Sequence, residues 1–566
     1  MTRHERLAFW SLAAFCGATR LVAIARSPRD WDEVLFMFAL RDYDVAQHHP
    51  HPPGFPLFIA LGKLASFVTS SDFRALQVVN VLAAMLVFPA VFFFARTLSS
   101  SGSSEFLGVP RGGGATPRYS EVLRGTEVLP FVTAVLCCFF PPLWFYGGTA
   151  LSDVPSLVVV TCAATLLLCG RENRNAFFLG AMVLGCAVGM RPQNLLVGFA
   201  PAILAMRKRR VSETIIAMLI GATVIATTYG LAMHATGSTE RFRTAFAMQQ
   251  QYVMHNDSFL SPDRPSLVSL IERFFFKPYG PSHLSVLLSL FVVAGTASRN
   301  KAAMLAAATF GPFAIFAWLM LDRFQVARYA IGYAPMLAMF AASGIVFIAR
   351  RFSAIVTAFV VLLLAIWTLP LLNDVRTQLS PPIAAIERVR RAQPRSLFVG
   401  HSMTAFIDYY LPHVAYERVI DARALPVRWK GEPWLLADVT QKRGNYGPLW
   451  TFARRQYFDV ALRRVTDLPQ FDSGFNAERV THDRGIVTLP SRSGATLLRL
   501  DLHPPADARG TLTITLDGRE LERIPLTGQT FLNRDYEVQA HGPAKLELRV
   551  SPAAAIRLEA LSWGPA

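Results

Sequence analysis

Stretches of apolar residues alternate with short polar segments along the first two thirds of the chain. A helix that crosses a bilayer takes about 20 residues, and many of these stretches approach that length. The pattern therefore predicts a polytopic α-helical membrane protein with about eleven transmembrane helices. The predicted spans are 7–25, 74–95, 127–146, 154–170, 176–190, 194–206, 213–236, 282–297, 302–320, 330–348 and 353–371.

After the last span the period of the pattern changes. Residues 372–470 mix short apolar runs with the helical-looking segment SMTAFIDYYL, which predicts a small α/β domain. Residues 471–566 alternate apolar and polar positions and contain a hairpin signal at Asp517 and Gly518, which predicts a β-sandwich. The predicted organisation is a membrane module at 1–371 followed by these two domains.

Composition and charge agree with a membrane protein. Hydrophobic residues make up 52% of the chain and charged residues 17%, and the mean hydropathy is +0.34. The short loops on one side of the predicted spans are basic, as in 207–210, so the positive-inside rule predicts a cytoplasmic N-terminus and periplasmic C-terminal domains. Much of the net charge of +17 then reflects topology, and it gives no reason to expect nucleic acid as a partner.

The loop between the first two spans, 26–73, is unusually rich in polar chemistry. Its segment DEVLFMFAL is too apolar for a solvated loop and too short to cross the membrane, which predicts a helix lying in the interface. GFPLFIALGKLASFV predicts a second interfacial helix, after the stiff segment HHPHPP. This arrangement holds Asp32 and Glu33 at the mouth of the bundle, where an acid is costly unless it is paired or used.

These residues resemble a known family. An acidic pair after the first span, followed by HPPGFPLF at the second interfacial helix, is similar to the C-type (GT-C) polyprenyl-phosphate-sugar-dependent glycosyltransferases. That superfamily includes the protein O-mannosyltransferases, their bacterial relatives and the aminoarabinose transferases that modify lipid A. Further motifs resemble it in the same order along 7–371, and they are GTALSDVPSL (148–157), GMRPQNLL (189–196) and RYAIGYAPMLA (328–338).

The resemblance implies an inverting transfer of a monosaccharide from a polyprenyl-phosphate carrier to a hydroxyl acceptor. Asp32 is the predicted general base, because the corresponding acid of the family is catalytic, and partial burial is expected to raise its pKa. Inversion needs one base and no covalent intermediate. Glu33 points elsewhere on the helix, which favours a supporting or folding role. The residues predicted to bind substrate are Glu33, His51, Asp153, Arg191, Arg328 and Tyr329.

Each of the other candidates also has a structural interpretation. Arg191 and Arg328 suit the leaving phosphate because a guanidinium donates two parallel hydrogen bonds, but an interfacial arginine can also reach lipid headgroups. Asp153 is expected to cap its helix as well as to bind sugar or acceptor. Asp42 and Asp44 are expected to form a solvated helix end.

Three histidines, His48, His49 and His51, raise the possibility of a metal site with nearby carboxylates. The prolines around them restrict convergence of the rings, so we favour a shape-setting turn with His51 lining the cavity and no metal or other cofactor. The long loop at 238–281 is predicted to lie over the site, with an interfacial helix at IERFFFKPYG. Its possible contacts are Tyr252, His255 and Asn256.

The sequence thus predicts a GT-C glycosyltransferase of the bacterial inner membrane that uses an undecaprenyl-phosphate-linked sugar. The chain contains no G-x-G-x-x-G motif or P-loop for a nucleotide. The acceptor stays open among glycans, lipids and proteins. Three other functions stay open: a transporter, a non-catalytic component of an envelope polysaccharide system, and a polymerase or ligase of lipid-linked glycans.

Overall fold

The computed structural model describes residues 1–104, 117–260, 277–279, 282–320, 327–419, 422–438 and 460–565. The chain divides into two compact units, and the first extends through Ser380, past the predicted boundary at 371. The reason is that the last helix of this unit continues to Thr377. The second unit begins at Pro381.

In its described residues the first unit is built of helices, and one lies at each of the predicted spans. Among the described residues of the whole chain, four helical stretches are long and apolar enough to cross a membrane: Asp72–Ser100, Val211–Ala235, Lys301–Met320 and Arg328–Ala392. The total of about eleven spans stays a prediction. The helices are α1 (Arg3–Arg20), α2 (Trp31–Arg41), α3 (Pro56–Ser66), α4 (Asp72–Ser104), α5 (Pro117–Phe139), α6 (Pro141–Tyr146), α7 (Asp153–Cys169), α8 (Arg174–Met190), α9 (Leu195–Met206), α10 (Val211–Ala235), α11 (Thr239–Tyr252), α12 (Ser282–Ala297), α13 (Lys301–Met320), α14 (Ala334–Ala349) and α15 (Ser353–Thr377).

The two helices predicted between the first and second spans are present as α2 and α3. A capping box starts α2, because Asp30 accepts from the backbone of the first turn while Glu33 accepts from the N–H of Asp30. Pro56 starts α3 at a position where its missing N–H costs nothing. Between them Gly54 has φ 98°, a conformation that favours glycine.

Helices α12 and α14 approach each other through a pair of glycines. A Cβ atom at Gly344 would lie 1.8 Å from the carbonyl oxygen of Phe291, and one at Gly295 would lie 2.0 Å from that of Phe340. No side chain fits at such distances. Small residues therefore set the packing distance of these two helices.

The second unit contains an α/β part, as the sequence predicts for this region. Helices α16 (Pro381–Ala392) and α17 (His401–Tyr410) accompany a four-stranded sheet with the order β2-β1-β4-β5. Strand β1 pairs in parallel with β2 and β4, and β4 pairs antiparallel with β5. The strands of the unit are β1 (Ser396–Gly400), β2 (Glu417–Val419), β3 (Ala424–Leu425), β4 (Pro433–Asp438), β5 (Val460–Arg464), β6 (Gln470–Ser473), β7 (Val480–Thr481), β8 (Arg484–His503), β9 (Arg509–Leu516), β10 (Arg519–Thr527), β11 (Leu532–Ser551) and β12 (Ile556–Pro565).

The remaining strands form one eight-stranded sheet with the order β10-β9-β11-β8-β12-β3, to which β6 and β7 also pair. The sheet-rich C-terminus and the hairpin at Asp517 and Gly518 are therefore confirmed. The division of these strands into the two facing layers of a sandwich stays a prediction; hydrogen bonds connect all eight strands into this sheet. Its edge strand, Ala424–Leu425, comes from the predicted α/β domain, so the two predicted C-terminal domains share this sheet.

We expect Gly344→Ala to lower the apparent unfolding temperature, because the added methyl group forces α12 and α14 apart at a cost of about 1–3 kcal/mol. The measurement is thermal unfolding of the purified protein in detergent micelles. Gly230→Ala is the matched control, since a Cβ atom at that position of α10 meets nothing within 4 Å. Equal unfolding temperatures for the two variants would contradict the close packing.

Candidate active site

The guanidinium group of Arg328 pairs with three carboxylates from two distant parts of the sequence. Its Nη1 donates to Oδ2 of Asp30 at 3.0 Å, and its Nη2 donates to Oδ2 of Asp32 at 2.7 Å. Its Nε donates to Oδ2 of Asp153 at 3.1 Å. Arg328 is only 5% exposed, so these ion pairs replace the hydration that its charge has lost.

A second arginine, Arg191, joins the same group from the C-terminal end of α8. Its Nη2 lies 2.9 Å from Oδ2 of Asp153, and its Nε and Nη2 donate to Oγ of Ser152 at 3.1 and 3.0 Å. Its guanidinium also lies 5.4 Å from the ring centroid of Phe55. Asp153 therefore bridges both arginines. The name ion-pair cluster is used below for Asp30, Asp32, Asp153, Arg191 and Arg328.

Glu33 holds the start of α2 against the loop that leads to α7. Its Oε2 accepts from the N–H groups of Arg29 at 2.5 Å and Asp30 at 2.9 Å, and its Oε1 accepts from the N–H of Ala150 at 2.7 Å. The residue is 1% exposed. Because backbone amides occupy both carboxylate oxygens, these contacts favour the folding role of Glu33 over the predicted contact with substrate.

Two buried amide side chains of α4 hold the same loop. Nε2 of Gln77 donates to the carbonyl oxygen of Gly148 at 2.6 Å, and Nδ2 of Asn80 donates to that of Thr149 at 2.7 Å. A buried carbonyl without a partner would cost free energy, so these bonds stabilise the loop in one conformation. Helix α4 thereby positions the chain that leads directly to Asp153.

Asp30 belongs to the ion-pair cluster although no sequence pattern above singles it out. Its Oδ1 accepts from the N–H of Asp32 at 3.0 Å, which makes it the N-cap of α2. The spacing of Asp30 and Glu33 before an apolar run is the capping-box signal that could have located it. Burial raises the pKa of Asp30 to about 7, and Arg328 opposes only part of this shift.

Asp32 keeps a partly accessible carboxylate, with 29% of its side chain exposed. Its Oδ2 is bonded to Arg328, whereas its Oδ1 lies 3.7 Å from Nδ1 of His51. Burial by itself would raise the pKa of Asp32, but His51 and Arg328 together lower it to about 2. The expected increase of this pKa is therefore wrong, because the effects of His51 and of the guanidinium of Arg328 outweigh the loss of hydration.

Asp153 and Tyr329 lie next to Arg328. Asp153 is the first residue of α7, and the N-cap is Ser152, whose side chain makes no capping hydrogen bond. The carboxylate of Asp153 faces the two arginines, so the predicted capping role is wrong. Tyr329 follows Arg328 in a short 3-10 helix at Ala327–Tyr333, and its ring centroid lies 5.9 Å from the guanidinium.

Asp44 is buried, whereas the sequence predicted that it lies in a solvated helix end. It is 6% exposed, and its Oδ2 lies 2.5 Å from Nη2 of Arg241 in α11. Its Oδ1 accepts from the N–H of Ala46 at 3.0 Å. This carboxylate therefore ties the segment after α2 to α11, whereas Asp42, with 69% of its side chain exposed, is solvated as expected.

The three histidines between α2 and α3 have different surroundings. His48 is exposed, and the ring of His49 stacks on Phe38 at a centroid distance of 4.4 Å. Only His51 faces Asp32. Within the described residues no three His, Cys, Asp or Glu side chains are grouped to hold a metal ion. The preference for a site without metal stays a prediction.

The candidates from the loop at 238–281 lie at the end of α11 and just after it. Tyr252 and His255 are exposed, and Nδ2 of Asn256 donates to the carbonyl oxygen of Tyr252 at 3.0 Å. In the described part of this loop, no hydrogen bond or ion pair joins these three side chains to the ion-pair cluster. The helix predicted at 271–280 lies mostly outside the described residues.

Residues 45–214 match the family model described as Protein O-mannosyl-transferase TMEM260 N-terminal domain. This match confirms the resemblance to the protein O-mannosyltransferases over these residues. The matched segment contains His51, Asp153 and Arg191, whereas Asp32 and Arg328 lie outside it. No curated protein matches the sequence.

Comparison with solved structures finds weak similarities. ArnT from Cupriavidus metallidurans bound to undecaprenyl phosphate has 11% identity and a TM-score of 0.47, over 78% of this chain and 94% of that one. The same protein in the apo state has 12% identity and a TM-score of 0.47, over 74% and 86%. The mycobacterial arabinofuranosyltransferase AftD has 10% identity and a TM-score of 0.40, over 100% and 59%.

The raised pKa of Asp30 makes stability depend on pH. Its folded-state pKa of about 7 lies above the ordinary value of 3.8, so its contribution to the free energy of unfolding is full below pH 3.8 and is lost as the pH rises through 7. Between these two pH values, we expect the free energy of unfolding of Asp30→Asn to change by about 1–3 kcal/mol less than that of the wild type.

The measurement is the apparent unfolding temperature in detergent micelles across this pH range. Asp42→Asn is the matched control, because that exposed acid lies at the other end of α2 and should leave the slope unchanged. If the unfolding temperature of Asp30→Asn changed with pH as steeply as that of the wild type, Asp30 would be charged throughout the range.

Proposed function

We propose that this protein is an inverting GT-C glycosyltransferase, which transfers a monosaccharide from a polyprenyl-phosphate carrier to a hydroxyl acceptor. The match of residues 45–214 to an O-mannosyl-transferase domain supports a glycosyltransferase of this superfamily. The donor, the acceptor and the stereochemical course belong to the proposal.

The observation that carries the proposal is the meeting of Asp32, Asp153, Arg191 and Arg328 in one buried cluster. The family resemblance names these side chains from motifs far apart in the sequence. Carboxylates for proton transfer and arginines for a phosphate are the two kinds of group that this reaction needs. Their arrangement in one site supports a shared chemical role.

In the proposed reaction the acceptor oxygen attacks the anomeric carbon of the donor sugar. The new carbon–oxygen bond forms as the bond to the phosphate oxygen breaks, and the electron pair of that bond leaves with the phosphate. The acceptor proton passes to the carboxylate of Asp32. Oδ1 of Asp32 suits this step, because the other oxygen is bonded to Arg328 and part of the side chain is exposed.

The two arginines are proposed to receive the phosphate. Arg328 is bonded to three carboxylates and Arg191 to one carboxylate and Ser152, so a donor phosphate competes with these partners for the guanidinium groups. The competition keeps both cations in position without leaving a buried charge unpaired. Asp153, which touches both arginines, holds their spacing.

The proposed cellular setting is the bacterial inner membrane, with the site at the periplasmic face. The basic loops of the predicted topology support a cytoplasmic N-terminus. Undecaprenyl phosphate is the proposed carrier, since a donor anchored in the membrane reaches the site without a bound nucleotide. The acceptor is proposed to be a hydroxyl group of a glycan, lipid or protein.

We expect Asp32→Asn to lower sugar release from polyprenyl-phosphate-hexose donors by about 10²- to 10⁴-fold, the usual contribution of a general base. The assay uses the purified protein with water or added glycans as acceptors. Thermal unfolding shows whether the variant stays folded. Asp42→Asn is the control, since this acid lies immediately after the same helix, and it should keep full activity.

Full activity in a folded Asp32→Asn protein would exclude Asp32 as the base and bring Asp153 forward. A wild type that neither binds undecaprenyl phosphate nor releases sugar from any donor would contradict the enzyme itself. A transporter or a non-catalytic component of a polysaccharide system would then be favoured.

We expect Arg191→Lys to weaken binding of undecaprenyl phosphate by about tenfold, because lysine lacks the planar fork that bonds a phosphate at two points. Binding is measured by the shift of the unfolding temperature on adding the lipid. Arg174→Lys, at the opposite end of α8, is the matched control. Equal binding by both variants would remove Arg191 from the phosphate site.

A further inference from the structure

The ring of His51 is held in one position beside the ion-pair cluster. It lies 4.9 Å from the ring centroid of Phe55 and 5.7 Å from that of Phe36. Its Nδ1 is buried and has no hydrogen-bond partner among the described residues. The nearest acid is Asp32, whose Oδ1 is 3.7 Å from this nitrogen. A buried nitrogen without a hydrogen-bond partner costs free energy. When such a group is present in a folded protein, a catalytic role is one explanation for it.

The backbone on both sides of His51 is also fixed. The carbonyl oxygen of His51 accepts from the N–H of Gly54 at 3.1 Å, and the hydroxyl of Tyr43 donates to the carbonyl oxygen of Gly54 at 2.9 Å. Asp44 and His49 exchange two backbone hydrogen bonds, of 2.7 and 2.9 Å. The turn therefore presents the imidazole to Asp32 rather than leaving it free to reorient.

Asp32 alone is a poor final site for a proton. Its Oδ2 is bonded to Nη2 of Arg328 at 2.7 Å, and a carboxylate beside a guanidinium binds protons weakly. Burial raises the pKa of Asp32, but the charge and the hydrogen bond of Arg328 oppose this increase, in agreement with this geometry. A proton that reaches Oδ1 is therefore expected to move to a stronger base in contact with it.

We propose that His51 receives, through Asp32, the proton of the acceptor hydroxyl. This inference rests on the proposed glycosyl transfer and adds a second residue to it. The acceptor O–H bond breaks as its oxygen bonds to the anomeric carbon. The proton passes from Oδ1 of Asp32 to Nδ1 of His51, which leaves a carboxylate beside an imidazolium. His51 returns the proton to solvent or to the leaving phosphate before the next cycle.

The charges around His51 keep the imidazole neutral at the start. Burial is the main cause that lowers its pKa from the ordinary 6.5, and Arg328, His48 and Arg191 act in the same direction. The carboxylate of Asp32 raises it. A neutral ring with hydrogen on Nε2 leaves Nδ1 able to accept a proton. Activity should therefore fall as the pH decreases through the pKa of His51, below 6.5.

The experiment measures sugar release from a polyprenyl-phosphate-hexose donor as a function of pH. We expect His51→Asn and His51→Gln to lower kcat by about 10- to 100-fold and to leave KM for the donor within about twofold. The decrease of activity at low pH that is assigned to His51, the acidic limb, should disappear from the pH–rate profiles of both variants. His48→Asn is the matched control, because His48 is exposed in the same turn and asparagine tolerates its φ of 61°.

Rescue by a small molecule separates proton transfer from shape. Added imidazole should restore part of the activity of His51→Ala, in proportion to its neutral form, and should not change the activity of His48→Asn. A turn that only sets the shape of the cavity would give no rescue. Thermal unfolding of each variant in detergent micelles confirms that the comparison is between folded proteins.

The outcomes distinguish this proposal from the proposed function. If the wild type releases sugar and Asp32→Asn does not, but the His51 variants keep the wild-type kcat and acidic limb, the transfer reaction stands and the role of His51 is excluded. Loss of activity in the His51 variants with an unchanged acidic limb and no imidazole rescue also excludes proton transfer. A wild type inactive with every donor overturns both proposals.

Discussion

The buried guanidinium of Arg328 needs negative partners inside the protein, and it finds them in Asp30, Asp32 and Asp153. These acids lie 298, 296 and 175 residues away in the sequence. An arginine without them in this position would cost several kcal/mol, because water does not replace the lost interactions. The pairing therefore requires the start of α2, the start of α7 and the turn before α14 to meet at one place.

Hydrogen bonds between side chains and the backbone around the cluster hold these segments in place. Glu33 accepts three backbone hydrogen bonds, and Gln77 and Asn80 donate to carbonyl groups of the loop before α7. None of these side chains needs to touch a substrate in order to matter. They fix the backbone that carries Asp32 and Asp153, and a site held in this way does not spend binding energy on ordering itself.

The cluster contains three carboxylates and two arginines, with His51 at its edge. A phosphate that enters it has to displace carboxylates from the guanidinium groups, so ligand binding and proton binding at the acids are linked. The acids differ in this respect. Burial raises the pKa of Asp30, whereas His51 and Arg328 lower that of Asp32. The pKa values of two aspartates that lie two residues apart are thus shifted in opposite directions.

The sequence by itself determined the helical unit, the helices α2 and α3, the sheet-rich C-terminus and the residue types of the site, because periodicity and capping are local properties. It also determined the order of the motifs that carry Asp153, Arg191 and Arg328. Only the tertiary structure decided that Asp44 pairs with Arg241, that Asp30 joins the cluster and that Ala424–Leu425 pairs with the last strand of the chain. These features depend on contacts between segments far apart in the chain, and the charge that surrounds a carboxylate cannot be read from its neighbours in sequence.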